Sequence, residues 1–173
     1  MAADSFQERW VARSRQSPSG PPDGVFICAE SPDQPEVLAF FVASEAYMGA
    51  LYPAESNHFA PVTTLLASNV LFLVARRSGR AVGCGALVRA GDGTAEIKRM
   101  WVDPAQRGAG LGARLLDALV AAARDDGLAA VQLETGIHQP EAIGLYRDRG
   151  FVERAPFGSY APDPLSIFME LRF

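Results

Sequence analysis

Residues 102–116 read VDPAQRGAGLGARLL. Gly108, Gly110 and Gly112 alternate with other residues, Arg107 stands in front of them, and leucines follow at helical spacing. Small residues at the start of a helix leave several backbone N–H groups unpaired and pointing one way, at the positive end of the helix dipole. An anion settles at such a place, most often a phosphate. Glycine permits the required backbone angles and lets a ligand come close, and arginine adds a charged fork. The segment Arg107, Gly108, Ala109, Gly110, Leu111 and Gly112 is therefore expected to hold a pyrophosphate or a similar group. A bare loop is the alternative use of these glycines, and three of them ahead of an amphipathic helix disfavour it. No Gly-Lys-Ser/Thr follows, so the turn is not a P-loop.

Working outward, Leu111, Leu115 and Leu119 recur at i+4 with Leu116 and Val120 beside them, and Gly127 ends that helix where a left-handed cap belongs. Upstream, the stretch from Val70 to Val102 holds three strand-like runs, 70–76, 81–89 and 95–102, joined by hairpin turns at RSGR and AGDG. Before them come a strand in GVFICAE (24–30), a helix from Pro35 to Leu51 and a short helix in APVTTLLAS. Ser31 or Asp33 is the expected cap of the longer helix, with Val37, Leu38, Phe41, Val42 and Glu45 as its stripe and the stripe's edge. After Gly127, AAVQLET reads as a buried strand of the parallel type. PEAIGLYRDR reads as a helix with Pro140 in its first turn and Gly150 past its end. GFVERA and LSIFMELRF are two further strands. The order is β-α-α-β-β-β-α-β-α-β-β, an α/β sheet that is antiparallel first and mixed later.

The 173 residues suit one domain with a sizeable core. Residues 24–173 are assigned to it, and 1–23 to a polar, flexible leader ending in SPSGPPDG. That leader has no apolar signal region, so a cytoplasmic protein is expected. No apolar run approaches the roughly 18 residues of a membrane helix. A net charge of −4 gives no reason to expect nucleic acid or an anionic membrane as partner. Cys28 and Cys84 lack metal-ligand spacing and are expected to be reduced, buried thiols. His58 and His138 have no cysteine or carboxylate spacing around them, so no metal is expected.

One rival reading comes from the same turn. Gly108-x-Gly110-x-x-Ala113 loosely matches a dinucleotide fingerprint, and Glu134 falls about 20 residues on, where a ribose-binding acid would sit. A dinucleotide-binding oxidoreductase would result. Against it, EIKRMWV is too charged for the buried first strand of a doubly wound sheet. DPAQ also separates strand from glycines where that fold turns tightly, and the motif begins too late for six strands to follow.

The turn resembles the pyrophosphate-binding motif of the GNAT superfamily of N-acetyltransferases, Gln/Arg-x-x-Gly-x-Gly/Ala, filled here by Arg107, Gly110 and Gly112. Downstream, QPEAIGLYRDRGF resembles the family's Asn-x-x-Ala-x-x-Leu-Tyr-x-x-x-Gly-Phe segment at Ala142, Leu145, Tyr146, Gly150 and Phe151, with Gln139 where Asn is usual. Together, separated by helix and strand, the two motifs are specific, and the resemblance covers roughly residues 24–173. It implies a GNAT-type mixed α/β fold with a centrally splayed β-sheet flanked by helices. It also implies acetyl-CoA as co-substrate and direct transfer to a primary amine in a ternary complex. The splayed strand would be 95–102. The backbone of Met100, Trp101 and Val102 would pair with the pantetheine arm, the turn would cradle the pyrophosphate, and Gln139 would take the Asn role. A homodimer is the assembly the resemblance raises. A non-catalytic acyl-CoA-binding sensor on the same fold is the alternative.

Amide formation from a thioester needs a neutral amine, donors for the developing oxyanion, and a proton or hydrogen bond for the leaving thiolate. The resemblance places Tyr146 by the thioester. A phenol of pKa about 10 suits a thiolate of about 8.5; core packing is the other use of this residue. Glu96 is the candidate base, with a proton relay through water, as the resemblance also implies, the alternative; a salt bridge with Lys98, the chain's lone lysine, is its other use. A backbone N–H near Met100 to Val102 would serve the oxyanion. No cysteine stands at a motif position, which argues against a covalent acyl-enzyme. For the acceptor, a small-molecule amine or a peptide or protein amine, the candidates are Tyr47, Tyr52, Glu55 and Tyr160, with Ser56, Phe157 and Ser159 nearby. Aromatics with carboxylates suit a small cationic amine. His58 reads as a loop residue.

Overall fold

The computed structural model describes residues 6–14 and 23–173. Its elements are helix α1 (Phe6–Ser14), strand β1 (Val25–Ala29), α2 (Pro35–Leu51), α3 (Val62–Leu65), β2 (Val70–Arg77), β3 (Arg80–Arg89), β4 (Thr94–Val102), α4 (Leu111–Asp125), β5 (Ala130–Gly136), α5 (Pro140–Asp148), β6 (Val152–Arg154) and β7 (Ser166–Arg172). Short 3₁₀ turns occupy Ala54–Ser56 and Pro104–Gln106. From β1 onward the order of helices and strands is the one read from the sequence.

The seven strands form one open sheet in the order β1-β2-β3-β4-β5-β7-β6. All neighbours are antiparallel except β4 and β5. Both faces of its centre are covered. On one face α4, with Leu115, Leu116 and Leu119 wholly buried, packs with Phe6, Tyr146 and Phe151. On the other, Val37, Phe41 and Leu65 from α2 and α3 cover Phe72, Val74 and Cys84. This explains the unbroken apolar run VLFLVA, in which Val70 to Ala75 are all buried: an antiparallel strand alternates only when one face meets water. Each of the three α4 leucines contributes about 1.5–3 kcal/mol by leaving water.

Four local expectations are corrected. The leader segment contains a helix, α1, on which Phe6 and Trp10 are spaced i, i+4; Phe6 is buried and Trp10 packs against the same core. Two aromatics on one face outweigh the charged residues between them. The reading of SPSGPPDG falls mostly outside the described residues. In α2, Val42 is exposed and does not join the buried stripe. The helix also starts at Gln34 without a side-chain cap. Its first turn is tied instead through Glu36, which accepts from the Ala81 N–H at 3.0 Å and from Arg76 at 2.8 Å. Finally, Cys28 is exposed on β1, while Cys84 is buried and its thiol is pushed up to about 12 by desolvation. Both face Val74 across the sheet, one from each side, so β2 lies between them and no disulfide can form.

Candidate active site

The site begins with a strand that loses its neighbour. β4 pairs with β5 only from Thr94–Ala130 to Ile97–Leu133. β5 continues to Gly136 against β7, whereas Lys98 to Val102 stay paired only with β3. The sheet therefore splays at its centre, leaving a stretch of β4 backbone with no strand beside it on the β5 side among the described residues.

A bulge marks the place. Ala86 pairs with Lys98 and Cys84 with Trp101, so Arg99 and Met100 together oppose Gly85. Arg99 adopts φ 55°, a left-handed angle that is costly for a side chain of this size. The bulge also reverses the alternation. Simple pleating puts Glu96, Lys98 and Met100 on one face. Instead Met100 turns to the α4 side, where a Cβ on Gly85 would lie 2.7 Å from its Sδ. Arg99 and Trp101 turn to the α2 side, Arg99 against the Phe41 ring and Trp101 6.0 Å from the Tyr47 ring.

The glycine turn lies just past this strand end. The Asp103 carboxylate accepts from Ala105 N–H at 2.9 Å, and Arg77 donates to the Gln106 side chain. Gly108 has φ 81° and Gly110 φ 73°; Gly110 is the N-cap of α4, and no side chain among the described residues caps that end. A Cβ at either would meet nothing within 4 Å, so backbone angle rather than crowding selects glycine. Arg107 is exposed, donates to Val102 O at 3.2 Å and lies 4.9 Å from the Trp101 ring.

A cavity of ≈ 130 Å³ lies at the splay. Of the residues singled out above, Tyr47, Glu96, Met100, Trp101, Gln139 and Tyr146 line it, together with Ser56 and His58. A wider cavity of ≈ 550 Å³ adjoins it through His58, Phe59, Glu96 and Lys98, and takes in Tyr160, Phe157 and Ser159. Tyr52 and Glu55 line neither. Tyr52 is a packing residue: it is buried, accepts from His138 N–H at 2.8 Å, stacks on the His138 ring and leaves no room for a Cβ on Gly136. Glu55 is exposed on its 3₁₀ turn.

The model of the Acetyltransferase (GNAT) family matches residues 39–151, spanning the splayed strand, the glycine turn and the Tyr146 helix. The chain belongs to this family. It is 50% identical to the IAA acetyltransferase of Azospirillum brasilense over 84% of this chain and 96% of that one. A solved structure from Klebsiella pneumoniae, assigned to the acyl-CoA N-acyltransferases, is 40% identical, with a TM-score of 0.73 over 86% of this chain and 97% of that one. The PaiA N-acetyltransferase of Thermoplasma acidophilum, solved with coenzyme A, shares the fold at 16% identity and TM-score 0.65, covering 86% and 99%. The dinucleotide reading is overturned: this GNAT sheet is mostly antiparallel, and the turn follows an antiparallel central strand rather than opening a doubly wound one.

The acetyltransferase's cavity carries a compact charged network. Lys98 Nζ lies 2.9 Å from Glu96 Oε1 and donates to the Tyr160 hydroxyl at 2.5 Å, while that hydroxyl donates to Glu96. Burial and then the Glu96 charge push the Tyr160 phenol well above its ordinary value. Glu134 accepts from Ser166 Oγ at 2.6 Å and lies 3.9 Å from His58 Nδ1. Tyr146 is pushed up to about 12, by burial first and by Glu134 second. It therefore holds its proton throughout the physiological range. His58, read as a loop residue, Glu134, read only as the acid of the dinucleotide alternative, and Arg99, which no motif marks, all line this cavity. Among the described residues no group of three or more His, Cys, Asp or Glu could hold a metal ion, and no helix is long and apolar enough to cross a membrane.

Proposed function

We propose that this GNAT protein is an acetyl-CoA-dependent N-acetyltransferase that moves the acetyl group directly to a primary amine. The observation that carries this reading is the continuity of three features: an uncapped helix N-terminus at Gly110, an unpaired strand edge from Lys98 to Val102, and a cavity lined by Tyr146. They fit the three parts of acetyl-CoA in order, since a pyrophosphate needs convergent N–H donors, a pantetheine amide needs a strand edge, and a thioester needs a dry pocket. The coenzyme A found in the Thermoplasma relative supports the choice of ligand.

Acetyl-CoA supplies the activated thioester. Arg107 and the amides of residues 108–112 hold its pyrophosphate, and the backbone of Met100 to Val102, with Gln139, holds the pantetheine arm. An N–H of that strand edge stabilises the oxygen that gains charge. Glu96, directly or through water, takes the proton from the attacking nitrogen as the C–N bond forms. Tyr146 donates to the sulfur as the C–S bond breaks. Neither thiol replaces this route, because Cys84 is buried and protonated and Cys28 lies on the edge strand β1. The chain acts on a small-molecule or peptide amine as a soluble cytoplasmic enzyme. Free thiol released from acetyl-CoA in the presence of an amine panel is the expected result. Binding without release for every amine would instead mark an acyl-CoA sensor.

A further inference from the structure

Arg99 is the least comfortable residue in the cavity wall. Its backbone is left-handed, and its side chain is only 7% exposed. Every part of the guanidinium but one is engaged. Nε donates to Ala60 O at 2.9 Å, Nη2 pairs with Glu45 at 2.7 Å, and the group sits 4.5 Å from the Phe41 ring centre and 5.0 Å from that of Phe59. Nη1 is buried and has no hydrogen-bond partner among the described residues. The same is true of Trp101 Nε1, two positions on, and of Asn57 Oδ1, whose Nδ2 is already committed to Pro53 O at 3.2 Å. All three residues line the one cavity. Buried polar groups are satisfied in folded proteins, and each exception calls for a ligand or another account.

Two unfilled donors and one unfilled acceptor have a chemical complement. The cavity carries two carboxylates, Glu96 and Glu134, and two cations, Lys98 and Arg99. A purely cationic amine would leave the two donors, Arg99 Nη1 and Trp101 Nε1, as they are. Resting on the N-acetyltransferase reading, we propose that the acceptor is a small amino carboxylate. Its carboxylate takes the donors of Arg99 Nη1 and Trp101 Nε1, and its amine N–H meets Asn57 Oδ1 near Glu134. The strained bulge then has a use: a regular strand would direct residue 99 away from the α2 side, and only the left-handed turn brings a guanidinium into the acceptor wall.

The test compares the common amino acids with the corresponding amino acid amides and with simple alkylamines, each with acetyl-CoA, reading thiol release. At least one free acid is turned over, with kcat/KM about 100-fold above its amide, as expected when a buried donor loses its partner. Arg99→Asn, a residue that tolerates the left-handed angle, brings acid and amide within a few-fold of each other. Trp101→Phe keeps the ring, removes the donor and narrows the ratio about tenfold, so the result does not hang on one variant folding. Calorimetry with acetyl-CoA accompanies each step. If the protein binds acetyl-CoA but turns over amides or alkylamines as well as the acids, or turns over no acid, the amino carboxylate assignment is overturned and the cofactor reading stands. If it binds no acetyl-CoA, the N-acetyltransferase reading itself fails.

Discussion

Arg107→Glu raises the dissociation constant for acetyl-CoA by about 100-fold and moves the melting temperature by no more than about 2 °C. Both halves follow from where the residue sits. Arg107 is exposed, and its contacts are the Val102 carbonyl and the faces of Trp101 and Tyr47. Surface substitutions of this kind stay within about 0.5 kcal/mol, which in a chain of this length is a degree or two. Against a pyrophosphate the same change removes a charge-assisted hydrogen bond worth about 1.5–3 kcal/mol. It also sets a carboxylate beside the ligand's own negative charge at a helix N-terminus. Arg107 is a cleaner probe than Gly110. Any side chain at Gly110 must adopt φ 73°, so a loss of binding there would mix backbone strain with the loss of the anion cradle. Isothermal calorimetry and a thermal melt on the same preparation measure both quantities. Unchanged affinity would remove the turn from the binding site.

Tyr146→Phe lowers kcat about 100-fold and leaves KM for acetyl-CoA nearly unchanged. Tyr146 lines the cavity and its ring packs 5.8 Å from that of Phe151, so phenylalanine keeps the packing and removes only the donor. The pH dependence separates this role from that of an ordinary phenol. Burial and Glu134 hold Tyr146 protonated until the pH approaches about 12, so the wild type shows no alkaline loss from this group near pH 10. Its linkage to stability has the matching sign. The unfolded phenol ionises near 10 while the folded one does not, so the stabilisation is complete below pH 10 and is lost as the pH rises through about 12. Steady-state kinetics between pH 7 and 10 check the claim, and an unchanged kcat would make Tyr146 a packing residue.

The elements were legible because each is fixed by short-range pattern. α4 announces itself through its leucines and Gly127, and α2 through an apolar stretch bounded at Pro35 and Leu51. The central strands show as runs too apolar to meet water. What was hidden depends on register. A bulge adds one residue to one strand and leaves no mark in the residues themselves, so the turning of Met100 away and of Arg99 inward could not be read from alternation. Tyr52 and Tyr47 are equivalent as sequence, five positions apart on one helix end. Only the approach of Gly136 makes the first a packing residue while the second borders the cavity. His58 read as a loop residue because its neighbours Tyr160 and Glu134 are distant in the chain. Phe6 and Trp10 stand four apart in a polar stretch, and two apolar residues without further repeats were too few to read as a helix.

The central claim is that the glycine turn and the splayed strand together form an acyl-CoA site. Calorimetric titration of the wild-type protein with acetyl-CoA, with NAD as the paired control, tests it most directly. Micromolar, one-to-one binding of acetyl-CoA with no heat from NAD is the predicted result. Binding of NAD, or no binding of acetyl-CoA, would contradict it.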